Sequence, residues 1–486
     1  MIALTLAEIA EIVGGRLHGT DGTPTITGSI EFDTRKITEG GLFLALPGER
    51  VDGHDFAARA VAAGAAGVLA GREVDAPAVI APPVETQHGN AYVLAGDTDG
   101  TGAAVLAALA KLARHVTDRL KDLTIVGVTG SAGKTSTKDL IAQVLTPAGE
   151  TIAPPGSFNN ELGHPWTALR ATEDTRFLVL ELSARGPGHI AHLCEVAPPK
   201  IGAVINVGTA HLGEFGSREG IAQAKGELVE ALPEDGIAIL NADDPLVAAM
   251  ASRTKAKVVL VGEDSKADVR ATNVELDEQA RASFTLVSAQ GEAHVKLGVH
   301  GPHQVGNALT AAAIALELGA TPQQVAERLG AAQRVSAHRM QVTERADGVT
   351  VVNDAYNANP ESVRAALKSL ATISRATQPA RRSWAVLGPM AELGDDHVRA
   401  HDEIGRLAVR LDINKLVVVG DAARPMHQGA HLEGSWGEES VLVPDADAAI
   451  TLLRAEVRPG DVVLVKASNA YRLWRVAEAL LEAGNQ

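Results

Sequence analysis

The spacing of apolar residues changes period several times along the chain, and each change marks a different element. Val105, Leu109, Leu112, Val116 and Leu120 recur three or four residues apart, which predicts a long helix from about residue 99 with one buried stripe. TIVGVTG (124–130) then predicts a buried strand entering a turn, and KTSTKDLIAQVL returns to helical spacing through Leu140, Ile141, Val144 and Leu145. The apolar runs FLVLEL (177–182), IGAVINV (201–207) and GIAIL (236–240) read as further strands separated by helical segments. Strand and helix in alternation predict a mainly parallel sheet with crossover helices. Across 268–300 the pattern becomes polar-apolar (SFTLVS, AHVKLGV), which predicts a small antiparallel appendage, followed by a helix at about 303–318.

The flanking regions differ in texture. Residues 1 to about 98 combine an amphipathic helix ending at Gly14-Gly15, a strand-like run at 41–46, a helix around 55–64 and many glycines. From about 335 the chain alternates again: VTVVND, a helix at 360–371, WAVLG, a helix at 396–410, KLVVVG, a helix, DVVLVKAS and a helix at 470–483. That is a Rossmann-like order, yet no Gly-x-Gly-x-x-Gly opens any of its helices, so a dinucleotide cofactor is unsupported. The pattern predicts an α/β protein of three domains, 1–98, 99–334 and 335–486, the first small and the last Rossmann-like.

Length agrees, since 486 residues suggest about three domains. A net charge of −16 argues against a surface built mainly for nucleic acid. Cys194 is the one cysteine, so it forms no internal disulfide and no thiolate metal cluster, and it reads as a small buried apolar residue. The first residues carry acids and no basic leader, and no run reaches the roughly 18 apolar residues of a membrane span. A cytoplasmic location is the resulting expectation.

The chemistry begins at VGVTGSAGKTST (126–137), between a predicted strand and a predicted helix. The common phosphate loop has Gly, four residues, then Gly-Lys-Ser/Thr. Here Val128 occupies the first glycine's place, with Gly127 one residue early and Gly130 inside the gap. Gly130 and Gly133 still allow the backbone N–H groups of Ser131, Ala132 and their neighbours through Ser136 to face an anion at a helix N-terminus. Lys134 suits the outer phosphates and the Thr135 hydroxyl a Mg²⁺ ion. FLVLEL ends at Glu181 and NVGTAHLGEFG carries His211, each following a buried strand at the edge where α/β sheets place ligands. A carboxylate and an imidazole beside a phosphate loop suit a divalent cation. Lys225, in GIAQAKGELVE, taken alone reads as a solvated lysine on a helix.

Together these segments resemble the Mur ligase family of ATP-dependent amide-forming enzymes. Thr129 to Thr135 is similar to that family's TGSxGKT loop, and Ala210-His211-Leu212 with Ala224-Lys225-Gly226-Glu227 is similar to its AHL…AKGE segment. The resemblance implies that Lys225 takes up CO₂ as a carbamate and, with His211 and Glu181, holds a second Mg²⁺; Lys134, His211 and Lys225 are the implied catalytic set. FDTRKITEGGLFLALPGERVDGHDF (32–56) resembles the family's uridine-nucleotide-binding domain, implying substrate contacts from Asp33, Thr34, Arg35, Lys36, Asp52 and His54. SFNNELGHPWTAL resembles a substrate loop, giving Asn159 and Asn160, and GPHQVGNALTAAAIA an adenine-side helix, giving His303 and Asn307. AHRMQV implies Arg339 at the nucleotide phosphates. VVNDAYNANPESVRAAL (351–367) and LGPMAELG (387–394) resemble the family branch that adds D-alanyl-D-alanine. They imply Asp354 at the ribose, with Tyr356, Asn357 and Asn359 shaping the nucleotide and acceptor sides, and VKASNAYRLW implies Ser468 in the acceptor site.

The sequence departs from the family pattern at Ser183, Ala184 and Arg185 after the metal carboxylate, at Pro389, and at Ala467 and Asn469, where the family has Gly and Arg. The missing arginine leaves open which group holds the acceptor carboxylate, with Arg472 and Arg475 as the alternatives. The activity so implied is ATP-dependent ligation of D-alanyl-D-alanine to UDP-N-acetylmuramoyl-tripeptide through an acyl phosphate, by a monomer without nucleic-acid partners. Three readings stand beside it: the branch that adds the third residue, a folylpolyglutamate synthase, and an ATP-driven switch protein without ligation.

Overall fold

In the computed structural model, residues 1–85, 94, 96–209, 212–434, 437 and 439–483 are described. The apolar runs of the middle region lie side by side in a nine-stranded sheet. Its order is Glu150–Ile152, Thr175–Glu181, Thr124–Thr129, Ile201–Val204, Ile237–Asn241, Lys257–Gly262, Val269–Leu276, Arg281–Ser288 and Gly291–His300. The pairings are parallel up to Val269–Leu276 and antiparallel beyond it. Alternate residues of these strands face opposite sides, as the pleat requires. Ile125, Leu178, Leu180, Val204 and Leu240 join one core, whereas Val126, Val128, Val179, Ala203 and Ile239 join the other beneath helices Lys134–Leu145 and Gln304–Glu317.

The antiparallel segment at 268–300 is not a separate appendage. Val269 and Arg270 pair in parallel with Val261 and Gly262, so the hairpins extend the main sheet. Ala271, Phe284, Leu286, Val295 and Leu297 put their alternating apolar face into the same core as the phosphate-loop helix. Helix Pro322–Ala331, begun by a Thr321–Gln324 capping box, packs on the last of these strands.

The N-terminal part carries a five-stranded sheet, Arg16–His18, Ala78–Ile80, Ala65–Ala70, Gly41–Leu44 and Ile30–Glu31 in order, and a two-stranded ribbon, Leu4–Thr5 with Thr25–Ile26. Thr5 and Glu8 form the capping box of helix Leu6–Val13, and Gly14 ends it in the left-handed region at φ 72°. The stripe foreseen in the long helix is real. Val105, Leu109, Leu112 and Val116 of Thr101–Arg119 are fully buried, in a core shared with Leu6, Ile9 and Val13 on one side and Leu178 and Leu180 on the other. This helix therefore packs against both the N-terminal part and helices Gly163–Ala168 and His189–Val196 of the central part.

The C-terminal part is a six-stranded sheet, Gln341–Glu344, Thr350–Asn353, Val462–Lys466, Ser383–Leu387, Lys415–Val419 and Ser440–Val443, parallel except at the first pair. Strand Ser440–Val443 and helix Ala446–Glu456 carry too short an apolar pattern to stand out in the sequence. No helix among the described residues is long and apolar enough to cross a membrane.

Candidate active site

The strand ends of the central sheet and of the C-terminal sheet face one another across a cleft of about 1050 Å³. The position follows from topology, because loops that leave the carboxyl edge of parallel strands collect at one rim. Strand Thr124–Thr129 feeds the phosphate loop, and helix Lys134–Leu145 begins at Gly133, whose φ of 85° favours glycine. A Cβ at Gly133 would lie 2.9 Å from Asn307 Oδ1, so the loop and the helix of Asn307 are in close contact. Asn206 Oδ1 accepts from the N–H groups of Ser131 and Ala132 at 3.0 and 2.9 Å, and Asn206 Nδ2 donates to Ala132 O. Asn206 thereby shapes the loop, although nothing in the sequence pattern singled it out.

Lys134 Nζ donates to Gly130 O at 2.7 Å, and burial pushes its pKa below the usual lysine range against the pull of Glu181. Thr135 Oγ1 donates to Glu181 Oε2 at 2.9 Å and lies 2.6 Å from Ser157 Oγ, while Asn159 Nδ2 donates to Glu181 Oε1 at 2.8 Å. Glu181 is 1% exposed. A buried carboxylate beside two hydroxyls is a hard-oxygen donor set of the kind that holds Mg²⁺. Ser157, a second oxygen beside Thr135, went unnoticed in the sequence because a lone serine in a loop carries no pattern.

From the C-terminal part, Arg339 reaches into the same centre. Its guanidinium donates to Thr135 Oγ1 at 3.1 Å and to Ser157 Oγ at 2.9 Å, and stacks on the Tyr356 ring at 4.1 Å. Its Nε is buried without a hydrogen-bond partner among the described residues, a donor left for an anion. The flanking His338 and Met340 both lie in the left-handed region, at φ 54° and 45°, which is costly for such residues. Asp354 Oδ1 accepts from Met340 N at 2.9 Å and Asp354 Oδ2 from Lys466 Nζ at 2.6 Å, so this buried pair fixes the linker to the C-terminal sheet. Lys466 also donates to Asn357 O, and Ser468 Oγ accepts from Ala391 N.

Two contacts join loops of the central sheet, the phosphate loop and the one after strand Ile201–Val204, to the start of helix Pro360–Arg375. Asn359 Nδ2 donates to Ser131 O at 3.4 Å, and Thr209 N and Oγ1 both donate to Glu361 Oε1 at 2.8 Å. Glu361 lines the cleft, and nothing in the sequence pattern singles it out.

Of the residues named from the sequence, Ser131 to Ser136, Asn159, Asn160, Glu181, His303, Asn307, Arg339, Asp354, Tyr356, Asn357, Asn359 and Ser468 line this one cleft. His303 is half-buried, and its desolvation lowers its pKa. Lys225 is outside the lining but 4% exposed, and burial, with Lys134 adding to it, drops its pKa well below that of a free lysine. It is therefore no solvated surface lysine. His211 lies outside the described residues.

The N-terminal candidates sit apart from the cleft lining. Asp33 is bound by the Arg35 guanidinium, which lowers its carboxyl to about 2. Their loop follows strand Ile30–Glu31, which is tied to the Asn159 loop: Trp166 Nε1 donates to Ile30 O, and the Phe32 and Phe158 rings are 6.3 Å apart. His54 is engaged within the protein. It is 3% exposed, its Nδ1 lies 2.6 Å from Asp52, and its Nε2 accepts from Gly71 N, so both ring nitrogens hold the loop. Asp52 spends its other oxygen on Arg72.

Among the departures, Ser183 Oγ donates to Asn159 O, Arg185 bridges to Glu392 at 2.9 Å across the cleft, and Pro389 O accepts from Ser468 N. Such a site can bind a triphosphate and neutralise part of its charge beside a second substrate.

Family models match three stretches: "Mur ligase family, catalytic domain" at 27–117, "Mur ligase middle domain" at 128–315, and "Mur ligase, glutamate ligase domain" at 338–469. A protein of Mycobacterium tuberculosis (strain ATCC 25618 / H37Rv), named UDP-N-acetylmuramoyl-tripeptide--D-alanyl-D-alanine ligase, is 61% identical over 99% of this chain and 98% of its own. One of the same name from Escherichia coli (strain K12) is 33% identical over the full length of both. The crystal structure of MurF from Acinetobacter baumannii superposes with a TM-score of 0.84 at 29% identity, covering 99% of each chain. MurF ligase from Thermotoga maritima, in complex with ADP, gives 0.77 at 29% identity over 95% of this chain and 98% of that one.

Proposed function

The chain belongs to the Mur ligase family, and on that premise we propose that it joins D-alanyl-D-alanine to UDP-N-acetylmuramoyl-tripeptide at the expense of ATP. The observation that carries the reading is the single cleft in which the phosphate loop, Glu181 and the Arg339–Asp354–Tyr356 group meet, in a chain alike over its length to relatives bearing that name. The proposed division is 1–98 for the uridine nucleotide, 99–334 for ATP and 335–486 for the dipeptide.

A carboxylate is a poor electrophile, so ligation in water requires its activation. The tripeptide carboxylate oxygen attacks the γ-phosphorus of ATP and displaces ADP; the dipeptide amine then attacks the acyl carbon, loses a proton and expels inorganic phosphate. Lys134 and the loop N–H groups hold the transferred phosphoryl group, and Arg339 stabilises its charge from the opposite wall. Thr135 and Glu181 would hold one Mg²⁺, and Glu181, His211 and a carbamylated Lys225 a second. When bound, the ions neutralise charge on the transferring phosphoryl group.

The burial of Lys225 supports the carbamate. Burial lowers the pKa of Lys225 and so enlarges its neutral fraction, whose Nζ lone pair attacks CO₂; an N–C bond forms, a proton leaves, and an anionic ligand replaces a cation. Because one chain completes the cleft, the reading is of a monomer, and its need for ATP supports a cytoplasmic location.

The test is phosphate release by purified protein with ATP, Mg²⁺ and the UDP-tripeptide. Adding D-alanyl-D-alanine should raise release by at least about 100-fold, whereas a free amino acid with a UDP-dipeptide should not. Acceptor-independent turnover would point to a switch protein, and preference for the free amino acid to the third-residue-adding branch.

A further inference from the structure

The dipeptide presents an amine to the reaction and a carboxylate at its far end, and a cation in the cleft is the strongest partner for that carboxylate. Five Lys and Arg side chains line the cleft, and four are already engaged within the protein. Lys134 donates to Gly130 O, Arg185 to Glu392, Arg339 to Thr135 and Ser157, and Lys466 to Asp354. The fifth is Arg472, whose guanidinium forms no hydrogen bond or ion pair among the described residues.

Its backbone is unusual as well. Arg472 sits at φ 49°, ψ 36°, closing the short turn Asn469–Tyr471 with its N–H on Asn469 O. A long-chain residue in the left-handed region is strained, and such strain persists where the surroundings hold it. Here Leu473 anchors it: this side chain is 2% exposed and packs against Gly388. The turn presents Ser468, Asn469 and Arg472 to the cleft together. Arg475, one helical turn on, points elsewhere and pairs with Asp447 at 3.0 Å.

We infer that Arg472 is the residue that binds the C-terminal carboxylate of the acceptor dipeptide and so sets the preference for an acidic acceptor. A planar guanidinium matches a carboxylate in two parallel hydrogen bonds. The inference rests on the ligase reading above, and the wild-type protein separates the two. If wild type shows no dipeptide-dependent phosphate release, the ligase reading fails.

Given that release, the acceptor is varied between D-alanyl-D-alanine and its C-terminal amide, which lacks the charge. Arg472→Gly removes the guanidinium and tolerates the positive φ without strain; Arg472→Lys retains a cation. Wild type should favour the acid over the amide. Arg472→Gly should raise the KM for the acid by about 10- to 100-fold, change that for the amide little, and leave the KM for ATP near wild type. Arg472→Lys should keep part of the preference. An Arg472→Gly enzyme that still discriminates acid from amide as wild type does would overturn the inference.

Discussion

Lys225 shows how little residue type alone reveals. Its neighbours in sequence fit an exposed helix, yet residues Ala224, Leu228 and Val229 bury that face, and Lys225 is withdrawn from solvent with them. The resemblance assigns it a role, and burial lowers its pKa well below that of a free lysine. The prediction is that Lys225→Ala lowers turnover by at least about 100-fold, and that millimolar formate or acetate restores part of it by supplying the missing carboxylate. Lys134→Ala should show no such rescue. Near-normal turnover of Lys225→Ala, or equal rescue of both variants, would contradict the carbamate role. Other residues were illegible for a plain reason: Asn206, Ser157 and Glu361 act through contacts with partners 75, 22 and 152 residues away, which no local spacing encodes.

At the scale of elements, the sequence was readable where one periodicity persisted. Helix Lys134–Leu145 coincides with the run read as helical, because its apolar residues sit on one buried face and Gly133 sits at its N-cap. The strands at 268–300 were misassigned because alternation reports pairing, not which sheet is paired. Helix His397–Arg410 carries a titratable device of the same hidden kind. His401, fully buried, lies with Nδ1 2.7 Å from His397 O and accepts from Met390 N at Nε2, holding the loop before Glu392. A protonated ring could not accept that bond. Burial lowers its pKa from 6.5 to about 4, so the native ring stays neutral while the unfolded chain takes up a proton below 6.5. Stability is then complete above pH 6.5 and declines as pH falls towards about 4. Urea midpoints at pH 7.5 and pH 5 should show that decline, and His401→Asn should show a smaller one. An unchanged pH difference in the variant would refute the assignment.

For the whole molecule, the division of labour follows from where the sheets aim their strand ends. The central sheet supplies the phosphate loop and Glu181, and the C-terminal sheet supplies Asp354, Tyr356 and Ser468. Arg339–Thr135, Glu361–Thr209 and Arg185–Glu392 draw the two together over the cleft. The N-terminal sheet meets the central loop at Phe32, Phe158 and Trp166, a contact made by three aromatic residues too far apart in sequence to be paired by eye. In the proposed reaction two anionic substrates and a triphosphate meet at this cleft, and an acyl phosphate formed there must be shielded from water until the amine arrives. The most direct test of that chemistry follows one atom. UDP-N-acetylmuramoyl-tripeptide carrying heavy oxygen in its reacting carboxylate is turned over with ATP and D-alanyl-D-alanine, and the released phosphate is weighed by mass spectrometry. One heavy oxygen per inorganic phosphate is the predicted result; phosphate free of label would contradict activation through an acyl phosphate.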